Sequence, residues 1–209
     1  MALSKIDVAN MLTGIAPVAN GGTGVTSADA IGNWNLLSSQ TASSDSEVVF
    51  NSSLITDSYD TYFLTFRDID MGTDNVSLRL RISSDNGSSY YSSAGYKRVT
   101  MYGIHSDTDD SNMPYKTSAF DHMNLAGTVH GIGTADKETT AGHCWLYNLR
   151  VTDRGKCFLV HSVYETGGEK GALNTGMIYI DTDILVNAVK VYPQSGTFSG
   201  TVSLYGVKG

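Results

Sequence analysis

Charged residues are scarce in this chain. Asp, Glu, Lys and Arg make up only 17% of its 209 residues, and the formal net charge is −7. No basic stripe is visible anywhere along the sequence. Because binding to a nucleic-acid backbone depends on clustered Lys and Arg, the composition argues against a nucleic-acid partner.

Long apolar runs are also missing. No stretch approaches the roughly 18 consecutive apolar residues of a membrane-spanning helix. The N-terminus lacks the charged region followed by an apolar core that typifies a signal peptide. We therefore expect neither membrane insertion nor secretion by a signal peptide, and we expect the chain to be made in a cytoplasm.

Cysteine is nearly absent, with Cys144 and Cys157 as the two examples. A hairpin turn through residues 153–155 would place Cys144 opposite about Val163 and Cys157 opposite about Arg150. The two thiols would then share a face but lie about 20 Å apart along it, whereas disulfide Cα atoms lie within about 7 Å. The sequence therefore predicts two free thiols, and no neighbouring Cys or His completes a metal site.

The same predicted hairpin places aromatic and apolar side chains together on one face of the sheet. That face contains Trp145, Tyr147, Leu149, Val151, Phe158 and Val160. Cross-strand pairs of aromatic and β-branched residues stabilise a sheet.

Motifs that carry catalysis or bind phosphate are not found either. The five histidines are dispersed, and no G-x-S-x-G or H-E-x-x-H motif occurs. In APVANGGTGVTS, Val25 stands where a phosphate-binding loop has lysine. The dense acidic cluster Asp107, Asp109 and Asp110 lacks the Gly and distal Glu of an EF-hand loop, so we interpret it as a solvated loop. We expect no catalytic residue, cofactor or metal ion.

Short alternating runs between turn signals are abundant. In TYFLTF, Tyr62, Leu64 and Phe66 fall on one face, and Phe63 and Thr65 on the other. VSLRLRIS alternates in the same way and leads into a tight Asn-Gly turn. Similar runs are YKRVTMYGI, HCWLYNLRV, KCFLVHSVY, GMIYID, VNAVKVY and GTVSLYGV. About eight strands without βαβ alternation predict an all-β fold with one antiparallel β-sandwich of jelly-roll type.

The first 40 residues differ from the rest because no period of 2 or 3.6 is sustained there. Their apolar side chains are scattered, so the segment cannot build a core of its own and needs another surface to bury them. We therefore predict an extended N-terminal arm at residues 1–40, a β-sandwich at residues 41–209, and oligomerisation of the chain.

Three segments resemble parts of tailed-bacteriophage fibre proteins. TGIAPVANGGTG resembles a segment found near the N-termini and shaft junctions of these fibres, although Ala16 replaces the usual leucine and no long shaft follows. The stretch from Ser46 to Tyr90 is similar to the first strands of a β-sandwich common in phage virion proteins. Its matching residues are Tyr59, Asp60, Tyr62, Leu64, Phe66, Asp74, Leu78, Leu80, Arg81, Ser83, Asp85 and Gly87. The ending NAVKVYPQSGTFSGTVSLYGVKG is similar to the last two strands of that domain, and Ser199 to Gly206 matches its closing SGT-x-x-LYG run.

The resemblance implies a non-enzymatic virion protein, namely a short fibre or knob assembled in the host cytoplasm. Such proteins are usually homotrimers, and the arm would dock the chain onto other virion proteins and help it trimerise. The arm residues implied in docking are Ile15, Pro17, Val18, Gly21, Gly22 and Gly24. The sandwich would face outward and bind a host-surface glycan. The alternatives are a purely structural head fibre, capsid decoration or baseplate protein, and a glycan depolymerase that uses two carboxylates.

A tyrosine-rich, polar stretch supplies the candidate receptor contacts. A tyrosine offers a flat apolar face for a sugar ring and a hydroxyl for hydrogen bonds. The candidates are Tyr90, Tyr91, Tyr96, Tyr102 and Tyr115. Packing within strands explains the same residues, because tyrosine has a high β-propensity.

Overall fold

The computed structural model describes residues 34–92, 95–104, 119–128, 130–166 and 170–208. Within these ranges every regular element is a β-strand. The strands are β1 (Trp34–Asp45), β2 (Val48–Phe50), β3 (Thr61–Met71), β4 (Leu78–Ser83), β5 (Tyr96–Ile104), β6 (Ala119–Phe120), β7 (Met123–Ala126), β8 (Thr140–Tyr147), β9 (Lys156–Thr166), β10 (Lys170–Ile180), β11 (Ala188–Pro193) and β12 (Phe198–Val207). The prediction of an all-β fold is confirmed.

The described strands form two antiparallel sheets. An eight-stranded sheet has the order β1-β12-β3-β8-β9-β10-β5-β6, and a four-stranded sheet has the order β2-β11-β4-β7. Side chains from both sheets, such as Leu64 and Phe158 from the larger one and Leu80 and Val189 from the smaller one, belong to one buried cluster. The architecture is therefore sandwich-like.

Alternation along the strands determines which side chains enter the core. In β3, Tyr62, Leu64 and Phe66 are buried while Phe63 and Thr65 are only partly covered, as the sequence pattern predicts. In the turn after β4, Asn86 and Gly87 have φ angles of 62° and 87°. Both values lie in the left-handed region that an Asn-Gly turn favours, so the prediction of that turn is confirmed.

Strand β1 extends across residue 40, where the composition placed the end of the arm. Trp34 pairs with Val207 and Gln40 pairs with Val202, so residues 34–40 belong to the edge of the eight-stranded sheet. The predicted arm residues from Ile15 to Gly24 lie outside the described residues.

The predicted register between β8 and β9 is wrong. Cys144 lies opposite Val160, and Cys157 lies opposite Tyr147, so the two thiols are on opposite faces of the sheet. The connection is not a three-residue turn, because it runs from residue 148 to residue 155 and buries Leu149 in the core. Both cysteines are free, as predicted.

The same shift in register changes the face on which the aromatic residues lie. Trp145 pairs with Leu159, and Tyr147 pairs with Cys157, so neither shares a face with Phe158 or Val160. Phe158 and Val160 are buried between the sheets. Trp145 and Tyr147 therefore lie on the side of the larger sheet that is turned away from the smaller one.

Candidate functional site

The side of the eight-stranded sheet that is turned away from the four-stranded sheet, called here the outer face, is unusually apolar. Its most continuous feature is one row of paired residues that crosses seven strands. The row consists of Leu36, Tyr205, Phe63, Trp145, Leu159, Met177 and Val99. Along the strands of a half-solvated sheet, apolar side chains that face the core ordinarily alternate with polar ones that face water. A row of apolar and aromatic side chains on the outer face therefore indicates a face that becomes covered.

Exposure confirms that the described part of the chain leaves the outer face open. Among the described residues, seven large apolar side chains are exposed, and six of them lie on this face: Trp34, Leu36, Met101, Val163, Leu173 and Met177. The seventh, Leu185, lies in the connection between β10 and β11. Exposed apolar side chains that are scattered singly are ordinary, whereas a contiguous group marks an interaction surface.

Aromatic side chains pack edge to face at one end of the outer face. The indole of Trp34 lies 5.0 Å from the ring of Phe63 and 5.1 Å from the indole of Trp145. The ring of Phe63 lies 4.6 Å from that of Trp145. These contacts hold large flat surfaces in fixed positions, as is typical of rigid interface anchors.

A second row beside the apolar one is polar but carries no permanent charge. It consists of Ser39, Ser203, Thr65, His143, His161 and Thr175, and it ends at Met101. The imidazoles of His143 and His161 lie 5.2 Å apart. Burial, and then the nearby His161, lower the pKa of His143, so this imidazole is neutral at pH 7.

A cavity of about 330 Å³ lies at the β7 edge of the smaller sheet, and we call it the Arg98 pocket. The described residues that line it are Asn75, Ser77, Arg79, Arg98, Phe120, His122, Asn124, Gly127, Thr128, Gly131 and Gln194. Two guanidinium groups and several amides therefore converge on one cavity, and none of these lining residues is Asp or Glu.

No known protein family, curated protein or solved structure matches this chain. What the chain does must therefore be argued from its own residues.

Of the candidate receptor tyrosines, the structure packs Tyr91 against Tyr96 and places Tyr102 apart from them. Tyr96 is fully buried, its hydroxyl accepts a hydrogen bond from the Ile82 N–H and donates one to the Tyr91 carbonyl, and it is therefore a core residue rather than a ligand contact. Tyr102 lies on the same strand, six residues or about 20 Å away. Tyr115 lies outside the described residues.

Tyr90 and Tyr91 are each half-buried against the rest of the sandwich. The Lys190 ammonium lies 4.2 Å from the centre of the Tyr90 ring, and Tyr91 packs against the ring of Tyr96 at 5.7 Å. Both tyrosines therefore have structural contacts that account for them. Their role as receptor contacts stays a prediction.

A second cavity, of about 350 Å³, places Asp57 and Asp60 beside Arg150 and Arg154. Arg150 Nε donates a hydrogen bond of 2.8 Å to Asp57, and this bond lowers the pKa of that carboxyl. A glycosidase needs one carboxylic acid that remains protonated. Asp57 is unsuited to that role.

Two further observations bear on metals and membranes. Among the described residues, no group of three or more His, Cys, Asp or Glu side chains is placed to hold a metal ion. The described ranges also contain no helix that is long and apolar enough to cross a membrane. The acidic cluster at Asp107, Asp109 and Asp110 lies outside the described residues.

Sequence reasoning missed both the outer face and the Arg98 pocket. A signal for the outer face was present, because HCWLY and KCFLV are apolar at both odd and even positions, which is typical of a strand covered on both sides. The Arg98 pocket had no such signal, since its lining residues come from strands and loops that are distant in the sequence.

Proposed function

We propose that this chain is a fibre-type virion protein that works as a homo-oligomer, in which copies of the sandwich associate through the outer face. The apolar row across seven strands is the observation that carries the proposal. The bacteriophage assignment rests on the resemblance of PVANGGTG and of the first and last strands of the sandwich to phage fibre proteins. Residues 1–33 would connect the sandwich to other virion proteins.

The size of the outer face fits a protein interface. Seven strands about 4.8 Å apart, each presenting four same-face residues about 6.8 Å apart, cover about 900 Å². A stable protein–protein interface buries about 800 Å² on each partner. The outer face is therefore large enough for one complete interface.

The charges favour a second copy of this chain as the occupant. Neither the apolar row nor the polar row beside it contains Asp, Glu, Lys or Arg. Such a surface needs no opposite charge on its partner and is complementary to itself. The chain has a net charge of −7, and two copies that meet through these two rows bring together surfaces without charged side chains.

The mass of the full-length protein in solution tests the association. Sedimentation velocity over a range of concentrations should show an oligomer. Direct pairing of two outer faces gives a dimer, whereas the trimer that the fibre resemblance implies requires three outer faces to meet around one axis. Met177→Glu places a carboxylate in the apolar row and should yield a monomer. Leu185→Glu is the matched control, because Leu185 is 42% exposed and Met177 47% exposed, but Leu185 lies away from the outer face.

Two results would overturn the association. One is a wild-type protein that stays monomeric at every concentration, and the other is a Met177→Glu variant that associates like the wild type. The virion assignment has a separate test, in which an antibody to the chain is applied to purified particles and located by electron microscopy. Particles that carry no label would refute the assignment.

Binding of a host-surface glycan by the sandwich is a second candidate function. The Arg98 pocket favours it, because a small cavity lined by guanidinium groups, amides and an aromatic ring is suited to a polar ligand. Covering the outer face and binding at the Arg98 pocket are compatible, since the two sites use different surfaces.

A further inference from the structure

The Arg98 pocket contains hydrogen-bonding groups that the described chain does not satisfy. Arg98 is only 6% exposed, and its Nε and Nη1 atoms are buried without a hydrogen-bond partner. Asn124 is 7% exposed, and its Oδ1 atom is likewise buried without a partner. Buried polar groups in proteins are nearly always hydrogen-bonded, and each exception calls for an explanation.

The positive charges around the pocket are also poorly compensated. Burial, and then the nearby Arg79, lower the pKa of Arg98, so two guanidinium groups face each other's repulsion. Arg79 Nε donates a hydrogen bond of 2.9 Å to the neutral Ser77 hydroxyl. Arg98 is buried, whereas Arg79 is only partly buried. An unpaired buried charge is costly, so the guanidinium of Arg98 beside that of Arg79 favours a site that an anion completes.

The carboxylate of Asp121, which acts electrostatically on Arg79, is already engaged elsewhere. It accepts a hydrogen bond from Arg81 Nη2 and lies 2.5 Å from His122 Nδ1. It does not line the pocket. Asp121 therefore does not form an ion pair with the guanidinium of Arg98.

We infer that the Arg98 pocket binds a small hydroxylated carboxylate, such as one hexuronic acid unit of an acidic glycan. The unpartnered Arg98 nitrogens are donors that suit a carboxylate. The unpartnered Asn124 oxygen is an acceptor, and it needs a donor such as a sugar hydroxyl. A ligand that carries a carboxylate and several hydroxyl groups offers acceptors to both Arg98 nitrogens, which lie on different sides of the guanidinium, and a donor to the Asn124 oxygen.

The shape of the pocket agrees with a ligand of that size. At about 330 Å³ it is at the small end of ligand sites, which range from about 300 to 1,000 Å³. The Arg98 guanidinium carbon lies 4.0 Å from the centre of the Phe120 ring. This stacking holds the guanidinium plane in position before a ligand arrives, so little conformational freedom is lost on binding.

An acidic sugar is one class of ligand for the host-surface glycan binding proposed above. The inference rests on that proposed function only for its biological setting. Binding by the purified protein and its mass in solution are separate measurements. A chain that associates but does not bind the acid refutes this inference alone. A chain that binds the acid but stays monomeric refutes the proposed association alone.

Titration calorimetry of the full chain provides the test, with glucuronate as the probe and glucose and sulfate as comparison ligands. Glucuronate should bind, glucose should not bind measurably, and sulfate should bind at least about tenfold more weakly, because it has no donor at pH 7 and leaves the Asn124 oxygen unsatisfied. Equal binding of sulfate would overturn the hydroxy-carboxylate class. Failure of glucuronate to bind would overturn the site.

Two variants separate a binding role from a structural one. Arg98→Met keeps the apolar stem and removes the unpaired charge, so it should raise the melting temperature and weaken glucuronate binding by about tenfold or more. Asn124→Asp supplies an internal carboxylate to the pocket and should have the same two effects. Wild-type affinity in either variant would refute the inference.

Arg150→Met is the matched control for the loss of an arginine. Arg150 donates hydrogen bonds to Asp57 at 2.8 Å and to the Val186 carbonyl at 3.3 Å, so its charge is satisfied within the chain. The Arg150→Met variant should bind glucuronate like the wild type and melt at a lower temperature. Equal loss of binding in Arg150→Met and Arg98→Met would also contradict the assignment.

Discussion

Acid should weaken the proposed oligomer through the histidine pair on the outer face. His143 and His161 lie 5.2 Å apart, and their neighbours in the polar row are Thr65 and Thr175, neither of which can neutralise a positive charge. Because the pKa of His143 is depressed, its neutral form is the one that folding and association favour. That contribution is complete above about pH 6.5, the ordinary histidine pKa, and is lost as the pH falls through the lower pKa of the folded chain.

The size of the effect follows from the separation of the two rings. Two unit charges 5.2 Å apart repel by about 0.8 kcal/mol in water and by about 3.2 kcal/mol at an effective dielectric constant of about 20. When another copy covers the outer face, two positively charged imidazoles pass from water toward the lower effective dielectric constant, where their repulsion is larger. The difference, about 2.4 kcal/mol, weakens the association constant about 50-fold for each copy whose histidine pair becomes covered.

Sedimentation equilibrium between pH 8 and pH 5 at constant ionic strength measures this effect. The tryptophan emission gives a second readout, because the chain has two tryptophans and both belong to the outer face. The double variant His143→Asn and His161→Asn should associate equally at both pH values. The reasoning is refuted if the wild type associates equally at pH 8 and pH 5, or if the double variant keeps the full pH dependence.

Two further predictions concern the fold and its thiols. Tyr62→Phe removes a hydroxyl that accepts a hydrogen bond from the Thr56 N–H and donates one to the Thr56 carbonyl, both at 2.7 Å. Urea unfolding should show that the free energy of unfolding falls by about 2–3 kcal/mol. Tyr205→Phe is the control, because this position is partly exposed and has no described hydrogen bond, and it should change the free energy of unfolding hardly at all. A maleimide should modify Cys157 faster in the Met177→Glu variant than in the wild type. It should leave Cys144 unmodified in both, because that thiol is buried and its pKa is raised. Mass spectra with two adducts on the folded protein would contradict this prediction.

Much of the strand content could be predicted from the sequence, because hydrophobic alternation decides which residues enter the core. The run YKRVTMYGI coincides with β5, and TYFLTF forms the first part of β3 with the predicted faces. In TYFLTF the buried positions are Tyr62, Leu64 and Phe66, which are large and apolar or aromatic at every second residue. Local pattern and tertiary burial agree at β3, so short-range reasoning is sufficient there. In β5 the buried positions include Arg98 and Thr100, and Met101 is exposed, so the pattern locates the strand but not its buried face.

The register of the β8–β9 hairpin could not be predicted in the same way. Asp-Arg-Gly at residues 153–155 has the composition of a turn, but the chain leaves β8 at Tyr147 and buries Leu149. The Leu149 carbonyl accepts a hydrogen bond of 2.9 Å from Val186 N–H, which belongs to a distant part of the chain. A register shift by an odd number of residues moves every side chain of one strand to the other face relative to its partner strand. The longer connection that buries Leu149 makes such a shift, and Cys144 and Cys157 therefore lie on opposite faces.

The Arg98 pocket depends on pairings that no local pattern contains. Arg79 lies opposite Asn124 through the pairing of β4 with β7, and Arg98 comes from the other sheet. In the sequence, Arg79 and Arg81 look alike, since both are the polar positions of one alternating strand. Arg81 meets the Asp121 carboxylate and Arg79 meets only a hydroxyl, and this difference arises entirely from tertiary placement.

Strand β5 contributes residues to both proposed surfaces, the outer face and the Arg98 pocket, from its two opposite sides. Arg98 is directed toward the smaller sheet and its neighbour Val99 lies on the outer face, because successive side chains of a strand point to opposite sides. A second copy that covers Val99 and Met177 therefore leaves the Arg98 pocket accessible. Each oligomer would then present one pocket per copy, and several weak sites on one particle bind a repeating acidic glycan more tightly than one site does. The proposed self-association would thus provide the multivalency that a small pocket needs to act as an adhesin.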